Sequence, residues 1–342
     1  MKRKYLLRLS MLALCAYLLL AQGCGKHKSE LYSVAFYNLE NLFDTIHDDG
    51  KNDYDFLPDG RYTWNTKKYE AKLKNLAHVL SELSRGKVPQ GPACIGVAEV
   101  ENKRVLNDLL KQPALAQYKY VHYEGPDERG IDCALLYDSL QFQVKHSKLV
   151  YSAPFEGDTT DLTRGFLVVD GSLAGERLCL IVNHWPSRGS GEEYRIHAAR
   201  QVKALKDSLF REDRHLKLIV MGDLNDDPMD ESLQALGARK DVEQVGEQEF
   251  YNPWWKTLED DGIGTLCYRG KWNLFDQIVL TRPLLEGQGG LLYDGNEVFR
   301  PDYLFQHDDK YEGYPLRTHG GRKWLNGYSD HLPTIVYLRK HS

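Results

Sequence analysis

The stretch "HLKLIVMGDLNDDPMDESLQAL" (215–236) joins an apolar run to an acidic segment and then to a helical pattern. The run 216–222 is short, apolar and closed by glycine, which indicates a buried strand. Pro228 followed by acidic residues is typical of a helix start. The carboxylates between them suit a solvated turn, because Asp and Asn side chains bond to nearby backbone. They also suit a site that binds a metal, a proton or a phosphate, so this stretch alone leaves both interpretations open.

Eight further segments carry the apolar or alternating pattern of a strand: 31–37, 93–98, 118–123, 132–137, 165–171, 177–183, 275–280 and 332–338. Helical spacing of apolar residues marks 66–84 and 192–212, with a shorter candidate at 105–110. Steady strand–helix alternation is absent, which argues against a doubly wound parallel sheet. We therefore predict an α+β fold, a two-sheet β-sandwich flanked by helices in four αββα layers, forming one domain over 31–339.

The chain begins like an exported protein. Four basic residues precede an apolar segment at 11–20 that is too short for a comfortable membrane span, so residues 1–23 are predicted to be a signal peptide. "AQGC" (21–24) resembles the lipobox of bacterial lipoproteins, although Ala21 stands where leucine is usual. The resemblance implies a lipidated Cys24, a tether over 24–30 and a membrane-anchored protein facing the periplasm or the cell surface. An ordinary signal peptide and a secreted soluble protein form the alternative.

Charge and cysteine usage narrow the function further. Loss of residues 1–23, with four basic and no acidic residues, lowers the formal net charge from −5 to −9. This weighs against a broad basic surface that coats DNA, but not against a few phosphate contacts in a cleft.

The remaining cysteines lack C-x-x-C spacing and lie in or beside apolar runs, so we expect buried free thiols, with disulfides as the alternative: Cys94, Cys133, Cys179 and Cys267.

Chemically capable residues stand at the ends of several predicted strands. They are Asn38, Glu40, Glu99, His184, Asp223, Asn225, Asp276, Asp330 and His331. Loops at one rim of a rigid sheet pair are where binding and catalytic sites are commonly built. Because these residues come from six distant segments, we expect them to form one pocket.

Seven motifs resemble, in order and spacing, those of the deoxyribonuclease-like endonuclease/exonuclease/phosphatase superfamily: "FYNLEN", "GVAEVEN", "RGIDCALLYD", "VNHWPSR", "GDLNDDP", "WNLFDQIVL" and "YSDHLP". The resemblance covers residues 31–339 and implies hydrolysis of phosphate esters with Mg²⁺, or with Mn²⁺ or Ca²⁺. It implies Glu99 as the first metal ligand, Asp330 as the second, and Asn38 beside the metal or a phosphate oxygen. Glu40 occupies a place where some members carry aspartate near the metal. Carboxylate and water oxygens are the ligands that Mg²⁺ prefers.

The acidic segment then divides into two parts. In an extended segment Asp223 and Asn225 would point to the same side, Asp223 to deprotonate water and Asn225 to hydrogen-bond a phosphoryl oxygen. Asp226 and Asp227 would face solvent or cap the helix behind Pro228. Glu101 is expected to be an acidic residue at a helix N-terminus.

Two histidines and two arginines complete the implied site. The resemblance pairs His331 with Asp276, which would fix the tautomer and raise the pKa of the imidazole. It places His184 near the scissile phosphate, with Asn183 in support. Arg129 and Arg188 are candidate phosphate contacts. Which histidine acts as acid and which as base stays open.

The long segment 300–328 is rich in aromatic and basic residues and leads directly into Asp330, so we expect one wall of the substrate cleft there. The sequence thus predicts an exported, monomeric nuclease that cleaves DNA or RNA phosphodiester bonds by in-line attack of water. A phosphatase or a sphingomyelinase-like phospholipid diesterase of the same superfamily is the alternative. A binding module without catalysis is disfavoured because all the expected catalytic residues are present.

Overall fold

The computed structural model describes residues 30–155, 163–287, 290–307 and 309–341. The predicted signal peptide, Cys24 and the tether before Glu30 lie outside this part of the chain. Two large sheets dominate the described residues, and both mix parallel with antiparallel pairs. The predicted two-sheet sandwich flanked by helices is confirmed.

The first sheet contains β1 (Glu30–Leu42), β2 (Cys94–Val100), β3 (Tyr118–His122), β4 (Asp132–Asp138), β14 (Gly290–Val298) and β17 (Thr334–His341). Its strand order is β14-β17-β1-β2-β4-β3. The second sheet contains β5 (Phe142–Val150), β6 (Phe166–Leu173), β7 (Glu176–His184), β8 (Lys217–Asp223), β9 (Ala238–Arg239), β10 (Phe250–Tyr251) and β13 (Asp276–Thr281). Its strand order is β5-β6-β7-β8-β13-β10-β9.

Two hairpins lie outside these sheets, β11 (Leu266–Tyr268) with β12 (Lys271–Asn273), and β15 (His319–Gly320) with β16 (Lys323–Trp324). The α-helices of the described residues are α1 (Thr66–Glu82), α2 (Lys103–Leu110), α3 (Glu192–Glu212), α4 (Glu231–Leu236) and α5 (Trp254–Glu259). Helices were predicted over 66–84, 105–110, 192–212 and after Pro228, and all four exist. No helix among the described residues is both long and apolar enough to cross a membrane.

Strand alternation sorts the core into two layers. In β7, Leu178, Leu180 and Val182 belong to the main core between the sheets, whereas Cys179 and Ile181 belong to the cluster beneath α3. Central strands buried on both faces read as continuous apolar runs, which explains why the sequence reveals them clearly. Gly96 of β2 faces the second sheet, because a Cβ added there would lie 2.6 Å from Sδ of Met221.

The four cysteines beyond Cys24 are free thiols, as predicted. Cys94, Cys133 and Cys179 are buried, but Cys267 is only half-buried. Burial raises the pKa of the Cys179 thiol to about 12. These buried thiols are therefore neutral packing groups.

Candidate functional site

Strand register brings three site residues to one rim of the second sheet. His184 at the end of β7 pairs with Asp223 at the end of the parallel strand β8. Asp223 in turn pairs with Asp276, the first residue of the antiparallel strand β13. Residues from three sequence-distant segments therefore stand side by side because the strand ends are aligned.

The first sheet contributes its part through irregular backbone. The pairing of β1 with β2 shifts register between Asn38 and Leu42, and that of β2 with β4 shifts between Ala98 and Val100. Glu40, Asn41 and Glu99 have φ of 49°, 54° and 62°. Bulges and left-handed backbone at non-glycine residues are costly and cluster at functional sites, where they redirect side chains.

The bulges place Asn38 between Asp223 and Glu99. Asn38 Nδ2 donates to Asp223 Oδ2 at 2.9 Å and lies 3.4 Å from Glu99 Oε1. The second oxygen, Glu99 Oε2, accepts from the backbone N–H of Asn41 at 2.8 Å. Glu99 therefore keeps Oε1 turned towards Asn38, Asp223 and His184, whose Nε2 lies 3.8 Å away.

His331 lies between two carboxylates. Its Nδ1 is 2.7 Å from Asp276 Oδ2, and its Nε2 is 3.8 Å from Asp223 Oδ2. Burial opposes the charged form, but Asp276 and Asp223 outweigh it and raise the pKa of His331 well above its usual range. The predicted pairing of His331 with Asp276 is thus present in the structure, and this shift favours the imidazolium form of His331.

The pKa values of Asp223 and His184, two further buried titratable groups of the site, are also shifted. Burial is the main cause that raises the pKa of Asp223 to about 7. Burial, together with the nearby guanidinium groups of Arg164 and Arg129, lowers the pKa of His184 well below its usual range. Opposed shifts among neighbouring groups are typical of sites that move protons.

The acidic segment was partly misread. Strand β8 ends at Asp223, and Asn225 has a left-handed φ of 53°, so the two are not presented by an extended segment. Instead Asp223 Oδ1 accepts from the backbone N–H of Asn225 at 3.0 Å. Asn225 Nδ2 donates to the Trp185 carbonyl at 3.0 Å, which leaves its second N–H for another acceptor.

Asp226 and Asp227 are buried and do not face solvent, contrary to expectation. Asp226 Oδ2 lies 2.8 Å from Nε of Arg195, and Asp227 Oδ1 accepts from the Leu274 backbone at 2.8 Å. Helix α4 begins after Asp230, so neither residue is its N-cap. The carboxylates instead fasten the segment to α3 and to the residues before β13.

Arg188 also holds the acidic segment in place. Its Nη2 donates to Asp230 Oδ2 at 2.8 Å and to Asp227 Oδ2 at 3.2 Å, and its guanidinium stacks on the ring of Phe275. Asn183 is fully buried and bonds to the carbonyls of Ile181 and Met221. The Asn183 amide therefore bonds to strand backbone beside His184, whereas Arg188 is held by carboxylates of the protein, in contrast to its predicted phosphate contact.

Glu40 also has partners other than a metal. Its Oε2 accepts from the Thr318 backbone at 2.7 Å, and its Oε1 lies 3.2 Å from Nε of Arg317. The buried Lys72 ammonium lies 3.7 Å from Glu40. Both oxygens are committed, so Glu40 anchors the segment 300–328 at the end of β1. Arg317 also binds Asp330, because its Nη2 donates to Asp330 Oδ2 at 2.9 Å.

Glu101 precedes α2 but does not act on its N-terminus, which is capped by Asn102. The Glu101 carboxylate accepts from the Asp44 backbone at 2.7 Å. Burial raises its pKa to about 8. The helix-terminus interpretation was wrong because Glu101 turns into the protein.

Arg164 was not among the predicted site residues, yet its guanidinium acts electrostatically on His184. It precedes β6, is largely buried, and lies 3.3 Å from Asp127 in an ion pair. Arg129, which was predicted as a phosphate contact, lies near the same Asp127 and is about half exposed. Nothing in a single sequence separates Arg164 from other strand-flanking arginines, because its approach to His184 depends on the fold.

The donor set fits a divalent cation. The carboxylates of Glu99 and Asp330 supply hard oxygen donors, and Asp330 Oδ1 lies 3.9 Å from Nε2 of His331. Asn38, predicted as a further ligand, turns its Nδ2 towards Glu99, while its Oδ1 accepts from the Glu40 backbone N–H at 2.9 Å. Mg²⁺ is commonly held by one or two carboxylates with water completing the shell. Asp223, Asp276 and His331 also place one ligand atom each within 4.8 Å of one another. Hydrogen bonding already explains that group, because His331 uses Nδ1 for Asp276.

Comparison with known proteins identifies the family of this chain. A model of the endonuclease/exonuclease/phosphatase family matches residues 33–340. A search of curated proteins finds no match. Solved structures do match, and their low sequence identities show that the likeness lies in the fold.

A family protein from Bacteroides thetaiotaomicron is 17% identical, with 92% of this chain and 96% of that chain covered at a TM-score of 0.59. The mannosyl-6-phosphatase Bt3783 of the same organism is 17% identical over 90% and 99% of the two chains, also at 0.59. TDP2 of D. rerio, complexed with a single-strand DNA product, is 14% identical over 90% and 99% at 0.55. The chain belongs to the endonuclease/exonuclease/phosphatase family of metal-dependent hydrolases of phosphoric esters.

Proposed function

We propose that this protein is an exported, Mg²⁺-dependent nuclease that hydrolyses phosphodiester bonds by in-line attack of water. The observation that carries the proposal is the meeting of Asn38, Glu99, His184, Asp223 and His331 at one rim of both sheets. A solvated surface cluster would not hold three buried titratable groups with opposed pKa shifts.

The proton transfers follow from the charge states. Asp223, held by Asn38 and with a pKa of about 7, accepts the proton of the attacking water. The His331 imidazolium, oriented by Asp276, stabilises the negative charge that develops on the phosphoryl group or protonates the leaving oxygen. Neutral His184 offers a further hydrogen bond. A divalent cation bound at Glu99 would add Lewis-acid stabilisation of the same oxygens.

The surroundings of His331 favour nucleic acid. Leu266 of the hairpin β11–β12 forms an isolated bridge with His331. At the tip of this hairpin Tyr268 is 61% exposed, and the guanidinium of Arg269 lies over its ring. An exposed aromatic ring on a hairpin that is bridged to the site suits base stacking. A similar protein, TDP2, has been seen with a single-strand DNA product.

A phosphomonoester is the second candidate substrate. Arg188 and Arg317 are bound to carboxylates of the protein, so fewer cations are free to follow a nucleic-acid backbone. A similar structure is that of a mannosyl-6-phosphatase. A phospholipid diesterase remains the third alternative for a lipid-anchored protein.

The test compares purified protein on single-stranded DNA, plasmid DNA, RNA, mannose 6-phosphate and sphingomyelin, with Mg²⁺ and with EDTA. We expect DNA or RNA cleavage that EDTA abolishes. Glu99→Gln, Asp223→Asn and His331→Asn should each reduce kcat/KM by about 10² or more. The exposed Asp261→Asn serves as the matched control and should keep the parent rate.

Two results would overturn parts of the proposal. Rates within a few-fold of the parent for all three site variants would remove the catalytic assignment. Turnover of mannose 6-phosphate alone, lost in the same variants, would keep the site and replace the substrate.

A further inference from the structure

A second cluster of metal-ligating side chains lies on the outer face of the first sheet. Gly96 and Ala98 of β2 face the second sheet, and Ala98 pairs with Cys133 of β4. Successive residues of a strand point to opposite faces. Asp132, one residue before Cys133, therefore points away from the catalytic cleft.

His122 and Glu124 share this outer face with Asp132. His122 at the end of β3 pairs with Ala134, so the register sets Glu124 opposite Asp132. One ligand atom from each of the three residues lies within 4.8 Å of the other two. His122 and Asp132 are buried, whereas Glu124 is exposed on the following loop.

The imidazole of His122 is the unusual member. Its side chain is completely buried, yet neither ring nitrogen has a hydrogen-bond partner within the described residues. Nε2 lies 3.3 Å from Asp132 Oδ2, and Nδ1 lies 3.8 Å from Glu124 Oε1. Burying an imidazole without hydrogen bonds destabilises the folded protein, unless another partner binds its nitrogen atoms.

A metal ion would be such a partner for one ring nitrogen, because the lone pairs of Nδ1 and Nε2 diverge and a single ion binds only one of them. Tetrahedral Zn²⁺ with bonds of about 2.0–2.1 Å separates neighbouring ligand atoms by about 3.3–3.4 Å. The distance from Nε2 to Asp132 Oδ2 matches that separation. One imidazole with two carboxylates suits Zn²⁺ or a similar transition-metal ion better than Mg²⁺ or Ca²⁺, which prefer an all-oxygen shell.

We propose that His122, Glu124 and Asp132 form a binding site for a transition-metal dication, with Zn²⁺ as its occupant, separate from the catalytic centre. The site fastens the loop 123–131 to the edge of the sheet, because Glu124 belongs to the loop and Asp132 also accepts from the Gly125 backbone at 2.9 Å. This loop carries Arg129. Binding therefore orders a segment that borders the cleft, whatever the substrate.

The experiment measures Zn²⁺ on the full chain by equilibrium dialysis with elemental analysis. Excess Mg²⁺ is present, and the Glu99→Gln background weakens competition from the catalytic centre. We expect one equivalent of Zn²⁺ and a rise in Tm on binding. Co²⁺ in place of Zn²⁺ should give visible absorption bands of a site with fewer than six ligands.

Variants decide the assignment. Glu124→Gln changes an exposed side chain, so folding is preserved, and it should weaken Zn²⁺ binding at least ten-fold. Asp132→Asn should do the same. Glu128→Gln, an equal charge change on the same loop, should bind like the parent. The proposal fails if Glu99→Gln binds no Zn²⁺, or if Glu124→Gln and Asp132→Asn bind it as the parent does. The second result would place any bound ion elsewhere and leave His122 as a plain ion-pair partner.

Discussion

Single side chains set the charge of the catalytic site, and His331 illustrates how. Burial alone would keep this imidazole neutral, yet the neighbouring carboxylates of Asp276 and Asp223 raise its pKa. The sequence predicted the pairing with Asp276 through the family motif. It could not give the charge state, which depends on burial and on Asp223 approaching from another strand.

Asp276→Asn should lower the pKa of His331, because it removes the largest charge that favours the imidazolium. The limb of the pH–rate profile that follows loss of the His331 proton should shift to lower pH, and kcat should fall at least ten-fold. The measurement is kcat between pH 5 and 10, with NMR titration of the imidazole. Asp302→Asn, at a highly exposed site, is the control. An unshifted limb would mean that another group controls the rate.

Glu101→Gln tests burial of a single carboxyl group. The pKa of Glu101 is about 8 in the folded protein and 4.5 ordinarily, so the folded state retains a proton that the unfolded chain loses between these values. Stability of the parent should therefore fall as pH rises through this window. The variant should be more stable than the parent at pH 8.5 by on the order of 1–3 kcal/mol, and equal to it near pH 4.5.

The readout for this variant is Tm against pH, and the exposed Glu70→Gln should follow the parent throughout. A constant difference between Glu101→Gln and the parent at all pH values would show that packing, rather than ionisation, separates them.

Elements explain which parts of the fold the sequence could reveal. All nine predicted strands exist, and most are central strands with apolar faces on both sides. The two long strands that were missed, β5 and β14, are the outermost strands at one edge of each sheet. Edge strands carry charged and polar residues that discourage pairing with other chains. In "FQVKHSKLV" (142–150) this erases the apolar run on which the prediction depends.

The acidic segment after β8 shows the same limit for the site. The sequence could identify Asp223 by its motif. It could not show that Asp226 and Asp227 are buried, because their partners Arg195 and Arg188 come from α3 and from the residues before it. A carboxylate that appears suited to solvent becomes structural when a distant arginine reaches it.

Arg188→Gln should therefore act on stability. It leaves Asp227 and Asp230 without their guanidinium, which should cost about 1–3 kcal/mol because hydrogen bonds to charged groups are lost. The measurement is urea denaturation beside steady-state kinetics, with exposed Arg211→Gln as control. A loss of kcat/KM with unchanged stability would instead restore the phosphate-contact role.

At the scale of the whole molecule, both sheets end in the same rim, so one cleft collects residues from most of the chain. The segment 300–328 is tied to this rim through Glu40, Lys72 and Asp330. That it forms a wall of the cleft stays a prediction. The presence of one shared site could be predicted because several motifs lie at the ends of predicted strands. The contacts across the rim could not, because they depend on how the two sheets pack.

Cys24→Ser tests the predicted export and anchoring. If Cys24 carries lipid, the parent should be labelled by radioactive palmitate and sediment with membranes, and the variant should do neither. Cys267→Ser, at a half-buried position of the domain, should behave like the parent. Equal fractionation of parent and Cys24→Ser would favour an ordinary signal peptide and a secreted enzyme.

The pairing of β1 with β17 joins Glu30 to Lys340, whereas Phe36 pairs with Thr334 near the rim. The described chain thus begins and ends at the pole opposite the site, about 26 Å away along β1 at roughly 3.3 Å per residue. A tether from Cys24 to Glu30 spans at most about 20 Å. In an enzyme anchored at Cys24, the cleft would consequently face away from the bilayer and towards polymers and solutes in the surrounding fluid.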